Sequence, residues 1–126
     1  MSKKLRVLTL IGALCLSCSA FADRTPDEIT KEMYSIDQSL LNATKICVKE
    51  AKGKGLVNDD MFEYVNKCIG SLNNGMDLYS YRDISNKLES ELKDVLKKQG
   101  APESDINILV KGMDADFSRR FEMAWQ

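Results

Sequence analysis

The sequence predicts an all-α fold, a small disulfide-stapled bundle of about four helices, from three observations. Apolar residues recur at alternating steps of four and three along four stretches, the spacing of one helix face. Between those stretches stand Gly53-Lys54-Gly55, Asn73-Asn74-Gly75 and Gly100-Ala101-Pro102, residues that end helices and form turns. Cys47 and Cys68 fall on the apolar faces of the first two stretches, on either side of the first break. No segment alternates with the period of two that a half-buried strand requires.

Residues 1–22 read as a cleaved secretory signal peptide. Lys3, Lys4 and Arg6 form its positive end, Leu8 to Leu16 its apolar run, and Ala20-Phe21-Ala22 a small-x-small cleavage site. The apolar run is too short for a stable membrane span. Lipidation at Cys18 is the competing reading, with Ser17 before it. It is the less favoured one, because Cys15 stands three residues upstream where lipoprotein signals carry Leu or a similar aliphatic residue.

Residues 23–126 then form a single helical domain, of a size able to bury a modest core. Cleavage removes three of the 18 basic residues and none of the 19 acidic ones, taking the net charge from −1 to −4. No basic stripe remains to collect nucleic acid or anionic lipid, so neither is expected as a partner.

Thr25-Pro26-Asp27-Glu28 is a helix start: Thr25 as N-cap, Pro26 at the first helical position and Glu28 completing a capping box. Ile29, Met33, Ile36, Leu40, Ala43, Cys47 and Ala51 follow as one seam. A second helix is expected from Asn58 as N-cap, with Asp59 and Asp60 favourably placed in its first turn, and Met61, Val65, Cys68 and Leu72 facing inward, flanked by Phe62 and Ile69. A third is expected near Ser80, with Asp83 as capping partner, running through Ile84, Leu88, Leu92, Val95 and Leu96. Its i,i+4 pairs Glu89–Lys93 and Asp94–Lys98 read as a solvated outer face. After Pro102 the fourth carries Ile106, Leu109, Val110, Met113, Phe117, Phe121 and Ala124 on one side and ends at Trp125. Short connections favour antiparallel neighbours, hence an up-and-down bundle or a close irregular relative.

The two cysteines that survive cleavage make an even count in an oxidising compartment, which favours a Cys47–Cys68 bond over two buried thiols. In an antiparallel helix pair their heights differ by roughly 6 Å at a rise of 1.5 Å per residue, which a short connection absorbs.

The search for chemistry is mostly negative. The chain has no histidine, so the usual general base and the commonest zinc ligand are missing. It carries no phosphate loop, nucleophile elbow, zinc-binding helix or dinucleotide fingerprint. Asp59, Asp60 and Glu63 decorate a helix start, and Asp114 with Asp116 lacks calcium-loop spacing. No catalytic residue, metal or cofactor is therefore expected. Asn73 to Asp83, rich in Tyr, Arg, Met and Asn, has the composition of a protein-binding surface, with Asp77, Tyr79, Tyr81 and Arg82 as its candidate contacts. The bland alternative packs both tyrosines over the end of the bundle.

From Cys68-Ile69-Gly70-Ser71-Leu72-Asn73-Asn74-Gly75, with Cys47 on an earlier helix, the sequence resembles the periplasmic immunity proteins of the Rap/Tai type. The likeness continues through a helix ending Leu96-Lys97-Lys98, a break at Pro102 and a last helix, and covers roughly residues 36 to 121. Ser71 stands where those proteins carry an aromatic residue, and Gly75 falls one place late. The resemblance implies an exported, helical, disulfide-bonded protein that protects bacteria from peptidoglycan-cleaving toxins delivered by type VI secretion. Such a protein inhibits by occluding a toxin's active site. The alternative expectation is a periplasmic chaperone or assembly factor, similar to the HdeA acid chaperones or the secretin pilotins. Both readings make the partner a protein, toxin or client, and leave a homodimer open.

Overall fold

Thr25 opens the first helix as its spacing predicts. Glu28 N donates to Thr25 Oγ1 (3.2 Å) and Thr25 N donates to Glu28 Oε1 (2.9 Å), a complete capping box ahead of Pro26. The helix so started, α1 (Pro26–Gly53), is the longest of four in the computed structural model, which describes residues 24–126. The signal segment, with Cys15 and Cys18, lies outside the described residues. The other helices are α2 (Asn58–Leu72), α3 (Leu78–Lys98) and α4 (Glu103–Ala124), and the described residues contain no strand.

At 1.5 Å per residue α1 is about 42 Å long and α2 only about 22 Å. The seam of α1 is therefore covered in two instalments. Leu40, Ala43, Cys47, Val48 and Ala51 pack with Val65 and Ile69 of α2, while Ile29 and Met33 pack with Leu88, Leu92 and Val95 of α3. Each fully buried Ile or Leu in these clusters contributes about 2 kcal/mol by leaving water. α4 lays Met113, Phe117 and Phe121 along the same column, and Lys52 Nζ donates to the carbonyl of Gln126 at its far end (2.6 Å).

The direction of each helix follows from which residues meet. Cys47 pairs with Cys68 and Ser39 with Asn73, so α2 runs antiparallel to α1. Asp37 meets Tyr81, and Arg24 spans Glu32 and Glu91, so α3 also runs antiparallel to α1. Thus α2 and α3 follow one another along α1 in the same sense, and the turn at 73–77 breaks the chain without reversing it. The arrangement is the irregular relative, not the up-and-down bundle.

The staple is present: Cys47 and Cys68 are bonded, with Cα atoms 5.7 Å apart, on the α1–α2 interface. At the end of α1 only Gly55 of the two glycines takes a positive φ (+75°). Gly55 N donates to Lys52 O and Leu56 N to Ala51 O, the paired bonds of a Schellman end.

Three expectations are corrected. Asn58 does not cap α2 with its side chain: Val57 is the extended N-cap and Asn58 takes a positive φ of 56°, which Asn tolerates. α3 starts at Leu78 with Asp77 as cap, its carboxylate accepting from Ser80 N (2.9 Å), so Ser80 belongs to the first turn. Leu72 and Leu109 face solvent, at 51% and 44% exposure, and Ile69 takes the fully buried place in α2. Leu72 is the last residue before the chain turns away, and the cover on α4 is completed by Ile106 and Val110.

Two stability measurements check this account. Closing about 22 residues, the disulfide is worth roughly 3 kcal/mol, so Cys47→Ser/Cys68→Ser should lower the unfolding free energy by about that amount in denaturant titration. Asp77→Ala should cost about 1 kcal/mol and Ser80→Ala much less; the reverse ranking would return the cap to Ser80.

Candidate functional site

α4 meets α3 less extensively than it meets α1, and the short side chains Ser85, Asn86 and Ser118 leave space between α3 and α4. The result is an open groove of about 540 Å³. Met33 and Leu40 of α1 and Met113 and Phe117 of α4 supply its apolar lining, Phe62, Tyr79 and Phe121 its further aromatic residues, and Asp37, Arg82, Glu89 and Asp114 its charges.

The aromatic side rests on a ladder set by i,i+4 spacing along α4 into its C-terminal cap. Phe117, Phe121 and Trp125 follow one another with ring centroids 5.8 and 6.1 Å apart, and Tyr81 stacks on Phe117 at 5.0 Å. Trp125 is half-buried and parallel to Phe62 of α2 at 6.4 Å, so it closes the end of the bundle.

The four candidate contact residues divide in two. Tyr79 is 59% exposed, Arg82 is also exposed, and both line the groove. Tyr81 lines it too, but is half-buried and donates its hydroxyl to Asp37 Oδ1 (2.5 Å). Burial and that carboxylate push the Tyr81 phenol well above its ordinary range. Asp77 stands apart from the groove lining. Its cap bonds from Ser80, together with Asn66, hold its carboxyl below the usual range despite some desolvation.

Three carboxylates that spacing alone assigns to no site also line the groove: Asp37, Glu89 and Asp114. The spacing of Glu89 to Lys93 predicts a solvated outer face, but Glu89 is half-buried and lines the groove. It turns toward Asp114 of α4. Burial, then the hydrogen bond and like charge of Asp114, push the Glu89 carboxyl up to about 7 against the weaker pull of Lys93. Asp37 is also raised, by burial first, with Asp114 and Asp116 adding to the effect and Tyr81 and Arg120 opposing it. A signal existed for two of them. Asp37 lies four residues after Met33 and three before Leu40, inside the register of the seam, and Glu89 continues the row Tyr81, Ser85.

The other acidic clusters lie outside the groove. Asp116 binds Arg119 (2.5 Å) and Arg120 (3.2 Å), and Asp59 and Asp60 occupy the first turn of α2. Among the described residues no group of three or more His, Cys, Asp or Glu is arranged to hold a metal ion, and no helix is long and apolar enough to cross a membrane. What the groove offers chemically is apolar contact beside three carboxyl groups, of which Glu89 is raised to about 7.

The sign of the pH effect follows directly. The folded Glu89 binds its proton more tightly than the unfolded chain does, so its contribution to stability is full below pH about 4.5 and is lost as pH rises through about 7. Glu89→Gln should therefore gain on the unaltered protein in melting temperature over that range; parallel curves would mean that the fold does not raise the Glu89 carboxyl. Compared with known proteins, the chain matches no family model, no curated protein and no solved structure.

Proposed function

We propose that this protein is an exported inhibitor of the periplasmic immunity kind, which occludes the active site of a peptidoglycan-cleaving toxin without turning anything over. One observation carries the reading: Tyr79 and Arg82 stand exposed, three residues apart on the first turns of a capped helix, at the mouth of the groove. Tyr and Arg are the side chains that most often dominate protein interfaces. Here they project from a frame braced by a disulfide, so little freedom is lost on docking. The lack of histidine fits a binding role, since the ordinary proton carrier of hydrolytic catalysis is missing.

A second reading, an acid-responsive chaperone or assembly factor, draws on the protonatable carboxyls Asp37 and Glu89. They lie where α1, α3 and α4 meet, so their titration acts on helix packing. Protection of a model client from aggregation at low pH would favour it, and an inhibitor should give none.

For the inhibitor the decisive test is survival. Cells exporting a peptidoglycan-cleaving toxin from the same genome should live when this protein is co-exported, and Tyr79→Ala/Arg82→Ala should weaken binding of that toxin by about a hundredfold, or about 2.7 kcal/mol, with an unchanged melting temperature. Complete lysis in the presence of the unaltered protein would end the proposal.

A further inference from the structure

We infer that the groove between α1, α3 and α4 receives a lysine or arginine side chain carried on an apolar segment of the partner protein, seated between Glu89 and Asp114 and against Phe117. This rests on the binding-protein reading above and names the chemistry of what is bound.

Charge is the first reason. Three carboxylates reach the groove from three different helices, Asp37 from α1, Glu89 from α3 and Asp114 from α4, and among the described residues the only basic side chain in its lining is Arg82. Asp37 is partly satisfied, because Tyr81 donates to it and Arg120 acts on it from α4. Glu89 and Asp114 face each other as like charges, with Lys93 of α3 acting on Glu89. A carboxylate pair of this kind either keeps a proton or takes a cation. Two carboxyl groups lining one groove from facing helices therefore mark a place that a partner's cation can fill, and a guanidinium or ammonium there would make charge-assisted hydrogen bonds to both helices.

Shape is the second reason. The groove holds about 540 Å³, within the range of sites that enclose several side-chain-sized groups, so a lone ion would leave most of it empty. Beside the short polar Ser85, Asn86 and Ser118, its lining is apolar and aromatic: Met33, Leu40, Met113 and Phe117, with Phe62 and Tyr79 open to solvent. Aliphatic stems of Lys or Arg lie well on such surfaces while the charged head reaches a carboxylate, and the aromatic rings favour a cation nearby. An acidic or purely apolar segment would meet repulsion or leave the carboxylates buried without a partner.

The test uses the purified, disulfide-bonded protein and the synthetic peptide acetyl-Leu-Arg-Leu-Phe-amide, followed by amide NMR shifts. Saturable shifts should centre on Glu89, Asp114 and Phe117. Replacing the peptide arginine by its neutral isostere citrulline should weaken binding at least about tenfold, as should Glu89→Gln/Asp114→Asn in the protein. Asp59→Asn/Asp60→Asn removes the same charge at the start of α2 and should leave affinity within about twofold. Equal binding of the citrulline peptide, equal loss in both variants, or shifts centred elsewhere would overturn the proposal.

Survival of toxin-exporting cells keeps the two readings apart. Survival undiminished in Glu89→Gln/Asp114→Asn overturns the groove's part in toxin binding and leaves the inhibitor standing. Failed survival with the unaltered protein overturns the inhibitor, while the peptide titration still decides what the groove accepts.

Discussion

The length of α1 relative to its partners governs the rest of the molecule. Its apolar seam runs from Ile29 to Ala51, and α2 is too short to cover it. The Cys47–Cys68 bond holds α2 over the C-terminal half, which leaves Ile29 and Met33 to be buried by something else. α3 meets that demand by continuing in the direction of α2, with Leu88, Leu92 and Val95 against the N-terminal half. Arg24 adds a polar clamp at that end, reaching Glu32 of α1 and, through two nitrogens, Glu91 of α3. These ion pairs are partly exposed and contribute little beside the apolar contacts.

The groove is a consequence of this division. The break between α2 and α3 falls partway along α1, so the first turns of α3 sit beside the middle of the column instead of at an end. Tyr79 and Arg82 are carried there, and Tyr81 turns inward to Asp37. α4, passing in the opposite direction to α3, sets Phe117 against Tyr81 and Asp114 against Glu89. Apolar, aromatic and acidic groups from three helices are thereby gathered in one opening. A frame of this kind suits recognition: its shape is fixed by core packing and a covalent link, and its exposed groups vary at little cost to the fold.

Electrostatics gives the same opening a second character. Most acidic side chains of this chain are ordinary surface groups, some at helix starts and some in ion pairs such as Asp116 with Arg119 and Arg120. Glu89 and Asp37 differ because packing takes them partly out of water and brings further carboxylates near. Their raised proton affinity comes from burial first and from the neighbouring carboxylates second. Whatever binds there is favoured if it supplies that charge and disfavoured if it adds to the negative one.

Much of the architecture was legible in order of residues alone, since helix starts, stops and seams are local matters. Thr25 to Glu28 form a capping box within four residues, the seam of α1 is a spacing rule, and the cysteines share a face because each lies in its own helix's register. Other choices were not local. Asp77 and Ser80 are both good caps, and Asp77 prevails where Asn66 of α2 accepts the N–H of Leu78 (2.9 Å), anchoring the helix start from a neighbouring element. The spacing of Glu89 to Lys93 is the same on an outer face as beside a groove; only the position of α4 tells them apart. The sequence by itself determined four amphipathic helices and the pair of thiols that join the first two, because period and capping act within a few residues. The tertiary structure alone decided the common direction of α2 and α3 and the meeting of Asp37, Glu89 and Asp114, because those depend on where one helix runs out and another must take over the burial.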